Sequence, residues 1–146
     1  MKRMQKITRV RLEISHSDQF YLFGLVSAEP DYKLSLAINK KFRIHLKNIP
    51  PVRITTENGP ELSFSRFSEP PGSKEIIFTL VSNRSGNNFL LQKLKNVDFI
   101  LKVHDTEDEK NIEQITGSLR EMEAINAVFN IDLKSLKDKN LHYLAQ

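Results

Sequence analysis

The feature that most constrains the fold is a change of hydrophobic period along residues 97–131. Apolar side chains occupy alternate positions over residues 97–103, which is the pattern of a half-buried strand. They then recur at three- and four-residue spacing over residues 107–122, which predicts an amphipathic helix, and alternate again over residues 125–131. Strand, helix and strand in this order predict a βαβ unit, like half of a ferredoxin-like sheet.

The chain before this unit predicts further strands and a second helix. Alternation indicates a half-buried strand over residues 7–14. The continuous apolar run at residues 20–26 indicates a central strand, in which Gly24 marks a bulge or a close neighbour. Residues 30–41 have apolar side chains at helical spacing and begin with Pro30, which suits the first helical position.

Turn residues divide the middle of the chain. Residues 43–46 predict a short strand, residues 47–51 predict a loop because they contain two prolines, and residues 52–56 predict another short extended piece. Residues 62–68 and 74–82 are both strand-like and are separated by proline, glycine and serine, so we expect a β-hairpin with a wide loop.

The remaining segments are predicted to be short. Residues 83–88 predict a connecting loop, and residues 90–94 predict a short helix or turn packed by leucines. Asp132 is expected to begin a helical turn after the last strand. The tail at residues 140–146 contains apolar side chains that are expected to dock onto the body or onto a second chain.

These elements predict one domain over residues 1–146 with an α+β fold. We expect a mixed, largely antiparallel sheet of five to seven strands, with two main helices packed on one face and the βαβ unit at its C-terminal end. At 146 residues, the chain is long enough to bury a continuous hydrophobic core.

Composition excludes several kinds of chemistry. The chain has no cysteine, so disulfides and thiolate catalysis are excluded, and a zinc site would need histidine and carboxylate ligands alone. The four histidines are scattered and no cofactor motif occurs, so we expect neither a metal nor a cofactor. We expect a cytoplasmic protein without a signal peptide or membrane span, because no apolar stretch follows the basic start and the longest apolar run has seven residues.

Net charge is distributed unevenly along the chain. Residues 1–53 contain 11 lysines and arginines against 4 acidic residues, whereas residues 54–146 contain 11 against 14. The basic residues that we single out in this first third are Arg9, Arg11, Arg43 and Arg53. Such a surface is expected to meet an acidic protein partner. Nucleic acid, RNA in particular, is the alternative, because basic and aromatic residues intermix over residues 43–67, although no RNP or GXXG motif accompanies them.

The most specific pattern lies within residues 91–103. Leu91-Gln92-Lys93, three spacer residues and Val97-Asp98-Phe99 keep the spacing of the motif IPExxxVDY, and the chain resembles the bacterial family named after it. Val97 and Asp98 match the motif, whereas its Ile-Pro-Glu half is replaced and its tyrosine is phenylalanine. Further similarities at residues 31–40 and 131–141 extend the resemblance over most of the chain from about Phe20.

The resemblance implies a cellular location and a fold class, but no mechanism. The family is found mainly in Bacteroidetes and has no established activity, so it implies a cytoplasmic protein of this fold class and assigns no catalytic residue. Its genes are associated with those for acyl carrier protein, ribonuclease III and pyruvate kinase, and acyl carrier protein is one acidic partner that this association suggests. A gene association is not a mechanism.

Two residues near the motif are candidate site residues. Asp98 lies at a strand start between apolar neighbours, where a carboxylate is expected to accept hydrogen bonds from backbone N–H groups or to pair with a basic side chain. Arg84 lies in the glycine-containing loop at residues 83–88, which would offer an anion backbone N–H groups and a guanidinium. This loop lacks GxxxxGK[ST] and GxGxxG, so a plain connection is the simpler interpretation.

The function that the sequence predicts is that of a non-catalytic protein-interaction or regulatory module. Open sheet edges of such a fold must be covered, and a homodimer is one way to cover them. RNA binding by the basic first third is the first alternative. An enzyme of unrecognised type is the second, and it would require a pocket with convergent polar groups.

Overall fold

The fold consists of an antiparallel sheet and two helices, which the computed structural model describes for residues 20–70, 72, 76–105 and 109–145. The strands are β1 (Tyr21–Val26), β2 (Lys47–Ile54), β3 (Leu62–Ser68), β4 (Ile76–Ser82), β5 (Arg84–Ser85), β6 (Asn88–Phe89), β7 (Phe99–Asp105) and β8 (Ala127–Ile131). The helices are α1 (Asp31–Phe42), α2 (Glu109–Arg120) and a 3-10 turn at Leu141–Leu144.

Within the described residues, six strands form the main sheet in the order β2-β3-β4-β7-β1-β8, and β5 and β6 form a small separate ribbon. Every neighbouring pair in the main sheet is antiparallel. The predicted α+β class and strand number are confirmed. The strand predicted over residues 7–14 lies outside the described residues.

The predicted βαβ unit is present in a split form. β1 pairs with β7 on one side and with β8 on the other, antiparallel in both cases. β7 and β8 therefore run parallel to each other, with α2 between them in sequence and β1 inserted between them in space. The four inner residues of β1 are buried, which explains why its apolar run predicted an interior strand.

Both helices pack on one face of the sheet, as predicted. The buried helix residues Leu34 and Ile38 of α1 and Leu119 of α2 belong to one hydrophobic cluster with alternate residues of the inner strands. Those strand residues are Phe23, Leu25, Phe78, Leu80, Leu101 and Val103. The ring centroids of Phe42, at the end of α1, and Phe78 are 5.1 Å apart, which places α1 over β4.

The opposite face of the sheet is covered by irregular chain. Leu22, Val81 and Ile100 point to this face, because strand side chains alternate between the two faces. They pack in a second cluster with the segment that follows β6 and with the C-terminal tail, through Leu90, Leu91, Val97 and Leu144. The tail therefore docks onto the body of its own chain, which was one of the two expected outcomes.

The prediction of a strand over residues 43–46 is wrong. Arg43 ends α1 in the left-handed conformation, with φ 58°. Leu46 is then held by the side chain of Asn39, whose Oδ1 accepts a hydrogen bond from the Leu46 N–H at 2.7 Å. The Ile44 N–H donates to the Asn39 carbonyl at 3.1 Å, so the backbone of this segment is bound to the end of α1 rather than to the sheet.

The prediction of a loop over residues 47–51 is also wrong, because β2 runs through Pro50 and Pro51. Proline lacks the N–H that a central strand needs, but among the described residues β2 is the outermost strand at this end of the sheet. Its pairing with β3 shifts register between Ile49 and Val52, so the two prolines fall in the irregular part of the strand.

Two smaller boundaries also differ from prediction. Pro30 lies just before the first helical residue of α1 instead of occupying it. The predicted loop at residues 83–88 contains β5 and the first residue of β6, and the chain turns tightly between them at Gly86, where φ is +61°. A left-handed residue at this position suits a two-residue turn between paired strands.

Gly24 is required because Val97 packs directly against it. An added Cβ at Gly24 would lie 2.9 Å from Cγ2 of Val97. This explains why β7 begins at Phe99 instead of Val97: the Val97 N–H is bound to the Leu94 carbonyl at 3.2 Å, and its side chain covers β1. The close neighbour predicted at Gly24 is confirmed.

We expect Gly24→Ala to lower the free energy of unfolding by about 1–3 kcal/mol, because the new methyl group overpacks the contact with Val97. Urea unfolding measures the change. The matched control is Gly117→Ala on α2, where nothing lies within 4 Å of an added Cβ. This control is expected to gain roughly 0.5–1 kcal/mol from helix propensity. A Gly24→Ala variant as stable as the native protein would contradict the close packing.

Candidate functional site

Asp98 joins three parts of the chain. Its Oδ1 accepts a hydrogen bond from Arg84 Nε at 2.6 Å, and its Oδ2 accepts one from the backbone N–H of Ser27 at 2.9 Å. The Asp98 N–H donates to the Leu25 carbonyl, and the Asp98 carbonyl accepts from the Asn83 N–H, each at 2.9 Å. The carboxylate thus has both partners expected from the sequence, a backbone N–H and a basic side chain.

Ser27 extends this connection to the loop after α2. Its hydroxyl donates to the Ala124 carbonyl at 2.6 Å and accepts from the Glu29 N–H at 3.2 Å. Ser27 is buried, and the end of β1 is therefore fixed to both β7 and the approach to β8. With its two oxygens engaged in this way, Asp98 has a structural role in the fold.

Arg84 is paired with Asp98, which argues against the anion site considered from the sequence. Its guanidinium carbon also lies 5.0 Å from the centre of the Phe89 ring, a cation–π distance. About half of the Arg84 side chain is exposed, against 19% for Asp98. The charge of Arg84 is therefore balanced locally, and the β5–β6 ribbon is held against the start of β7.

Asn83, which sequence reasoning missed, organises the segment next to the motif. The residue is fully buried. Its side-chain NH₂ group donates to the carbonyls of Leu94 and Val97 at 2.9 Å each, and its Oδ1 accepts from the Leu91 N–H at 2.8 Å. Its backbone carbonyl accepts from the Leu90 N–H at 2.9 Å. One asparagine therefore satisfies four backbone groups of residues 90–97.

Asn140 in the C-terminal tail satisfies one more backbone group of residues 90–97. Its Nδ2 donates to the Leu90 carbonyl at 2.8 Å, a buried hydrogen bond. The irregular segment at residues 90–97 is thus bound to the end of β4 by one asparagine and to the tail by another. Asn83, Asn87 and Asn88 all lie in the same polar, glycine-containing stretch of the sequence, so the sequence did not show that Asn83 is buried and the other two are exposed.

We expect Asn83→Ala to lower the free energy of unfolding by about 3 kcal/mol, because it leaves the Leu91 N–H and the Val97 carbonyl buried without a partner. The control is Asn87→Ala, an exposed asparagine four residues away, with an expected change within about 0.5 kcal/mol. Thermal and urea unfolding of both variants measure the difference. Equal stabilities would contradict the organising role of Asn83.

The other predicted site residues do not join Asp98 and Arg84. Arg9 and Arg11 lie outside the described residues. Arg43 ends α1 and Arg53 lies in β2, and both are exposed. Among the described residues, no hydrogen bond or ion pair connects either arginine to the Asp98–Arg84 pair.

A second surface, on the outer side of α1, combines exposed apolar and basic side chains. Tyr32 is 54% exposed and Leu36 is 62% exposed, and their spacing of four residues makes them neighbours on the helix. Lys33, Lys40 and Arg43 are exposed beside them. We call these five residues the α1 outer face. Leu34 and Ile38 face the core, so Tyr32 and Leu36 form a second apolar line on another side of the helix, which the sequence analysis did not predict.

A recess of about 310 Å³ lies beside β8, on the face opposite the helices. Its apolar walls are formed by Leu94, Val97, Phe129, Ile131 and Leu136. Asn96, Asp132 and Ser135 also contribute to the lining. A hydrogen bond from the Ser135 hydroxyl lowers the pKa of Asp132, and a backbone hydrogen bond from Lys134 adds to this effect.

Across the described part of the chain, no group of three or more histidine, aspartate or glutamate side chains is arranged to hold a metal ion. Neither described α-helix has the length and hydropathy needed to cross a membrane.

No protein-family model and no curated protein matches the chain. The resemblance to the IPExxxVDY family therefore stays a prediction. What the structure adds is the position of the two residues that match the motif: Val97 packs on Gly24, and Asp98 connects Ser27 to Arg84.

Proposed function

We propose that the protein is a non-catalytic interaction module that binds an acidic partner protein through the α1 outer face. The observation that carries this proposal is the exposure of Tyr32 and Leu36, which are two of the three large hydrophobic side chains exposed among the described residues. Side chains of this kind at the centre of a patch, with charged groups around them, are typical of protein interfaces.

The charges around the pair specify the chemistry of the partner. Lys33, Lys40 and Arg43 form no ion pair with any other described residue, so their charges are available to a ligand. Lys41, by contrast, is bound to Glu121 at 3.0 Å. A partner that presents a small apolar area inside a ring of carboxylates would match this surface in both respects.

We also propose that the chain is a divergent cytoplasmic member of the IPExxxVDY family. The contacts of Val97 with Gly24, and of Asp98 with Ser27 and Arg84, support this proposal. A divergent chain has a physical reason to keep residues that stabilise its fold. On this proposal, acyl carrier protein is one acidic protein to test, since the resemblance implies it.

The binding test compares variants of the full chain. Tyr32→Ala/Leu36→Ala removes the apolar centre, and Lys33→Glu/Lys40→Glu reverses the surrounding charge. The matched control, Lys137→Glu/Lys139→Glu, makes the same charge change at exposed positions in the C-terminal region. Each chain is used as bait at low salt in extract with and without nuclease treatment, and candidate partners are then titrated as purified proteins.

We expect an acidic protein to bind the native chain and the control equally. Both α1 variants should weaken its binding by at least about 10-fold, which corresponds to roughly 1.4 kcal/mol. Unchanged binding by both α1 variants would contradict the proposal. RNA retention that is lost after Lys33→Glu/Lys40→Glu, but not after Tyr32→Ala/Leu36→Ala, would instead favour the nucleic-acid alternative, whose affinity falls steeply with salt.

A further inference from the structure

The two outer strands of the main sheet differ in how they resist pairing with another strand. β2 contains Pro50 and Pro51, an irregular register next to them, and the exposed charges of Lys47 and Arg53. Prolines, bulges and charges are the devices by which natural sheets prevent edge-to-edge association. The β2 edge is therefore protected by its own sequence.

β8, at the other end, has none of these devices. Its sequence is Ala-Val-Phe-Asn-Ile, without charge, proline or glycine. In the described residues β8 pairs with β1 alone, so its outer backbone edge is unpaired there. Phe129 at the centre of the strand is 43% exposed. An uncharged edge strand with an exposed aromatic side chain is the kind of edge that another strand pairs with.

Apolar recesses lie on both sides of this edge. The recess of about 310 Å³ described above includes Phe129 and Ile131 on the face opposite the helices. A second recess of about 250 Å³ lies on the helix face, between β8 and α2, with Ile112 and Asn130 in its lining. Because strand side chains alternate, a strand added beside β8 would direct side chains toward both recesses.

We propose that β8 pairs antiparallel with β8 of a second copy of the chain, so that one continuous sheet runs through a symmetric dimer. A two-fold axis at Phe129 places Ala127 opposite Ile131 and Val128 opposite Asn130 of the second copy. These pairs bring no two like charges together, and residues on the same face of each sheet meet on the same face of the dimer.

Self-pairing follows from the position of the aromatic residue in the strand. Phe129 is the middle residue of β8, so the two-fold axis sets the two rings side by side next to the recess formed by Val97 and Leu136. Aromatic residues opposite each other on antiparallel strands attract. A symmetric dimer interface requires a patch that is complementary to itself, and this strand meets that requirement.

The size of the strand indicates a weak dimer. Stable interfaces bury about 800 Å² on each partner, and a five-residue strand provides only part of this area. The side chains that line the two recesses must contribute the rest. The dimer also leaves the α1 outer face free, because the end of α1 packs over β4, which β7 and β1 separate from β8.

Sedimentation velocity of the full chain tests the proposal over concentrations from about 1 to 100 μM, where small interfaces associate. We expect a monomer–dimer equilibrium in the native protein. Phe129→Lys should weaken association by at least about 10-fold. Leu36→Lys, which puts the same charge on another exposed hydrophobic position, should leave association unchanged. Circular dichroism confirms that each variant is folded.

A cross-linking experiment tests the register without disrupting the strand. The chain has no cysteine, so Phe129→Cys introduces a single thiol. In the proposed dimer the two Cα atoms are close enough for a disulfide, which needs a separation of about 4.4–6.8 Å. Mild oxidation should therefore give a covalent dimer of Phe129→Cys and little of the control Leu36→Cys.

Several results would overturn the proposal. A native protein that stays monomeric throughout the range would mean that β8 has another occupant or none; the strand predicted over residues 7–14 is one such occupant. A dimer that survives Phe129→Lys would place the interface elsewhere. A covalent dimer of Leu36→Cys in place of Phe129→Cys would move it to the α1 outer face.

Discussion

The hydrogen bonds of the buried Asn83 side chain determine how the chain covers the sheet face opposite the helices. Residues 90–97 lie on the sheet without forming a helix or strand, so their backbone groups have no regular partners. Asn83 supplies partners to four of them, and Asn140 supplies another. An unpaired buried backbone group is costly, so this segment needs such a side chain in order to cover Leu22, Val81 and Ile100.

The positions of Val97 and Asp98 follow from this constraint. Once residues 90–97 are fixed, Val97 lies on Gly24, and Asp98 reaches Ser27 and Arg84. The two residues that match the IPExxxVDY motif are thus fixed by packing and hydrogen bonding. The surfaces proposed for binding, the α1 outer face and the β8 edge, lie outside this buried network, and their exposed side chains are not needed for the core.

The sequence predicted an element correctly where its buried residues recur at the regular spacing of a strand or a helix. β1, β3, α1 and α2 were predicted because their apolar residues recur at strand or helix spacing, and Gly24 because a glycine in a strand marks a close approach. β2 was missed because its prolines are tolerated only by its edge position, which depends on the order of strands in space. Asn83 was missed because a buried asparagine and an exposed one look alike until the fold determines which is enclosed. Tyr32 and Leu36 were not predicted because the helical spacing of Leu34 and Ile38 identifies the core-facing side of α1 and does not show which other apolar residues stay exposed.

Native-state amide hydrogen exchange tests the central claim most directly. The N–H groups of Leu90 and Leu91, which are bound to Asn83, and that of Ser27, which is bound to Asp98, report on the network. The account predicts that these three amides exchange only through global unfolding, as slowly as those of β1, while the exposed turn at Gly86 and Asn87 exchanges fast. Fast exchange at Leu90 and Leu91 would contradict the account, because it would mean that residues 90–97 open independently of the sheet that they cover.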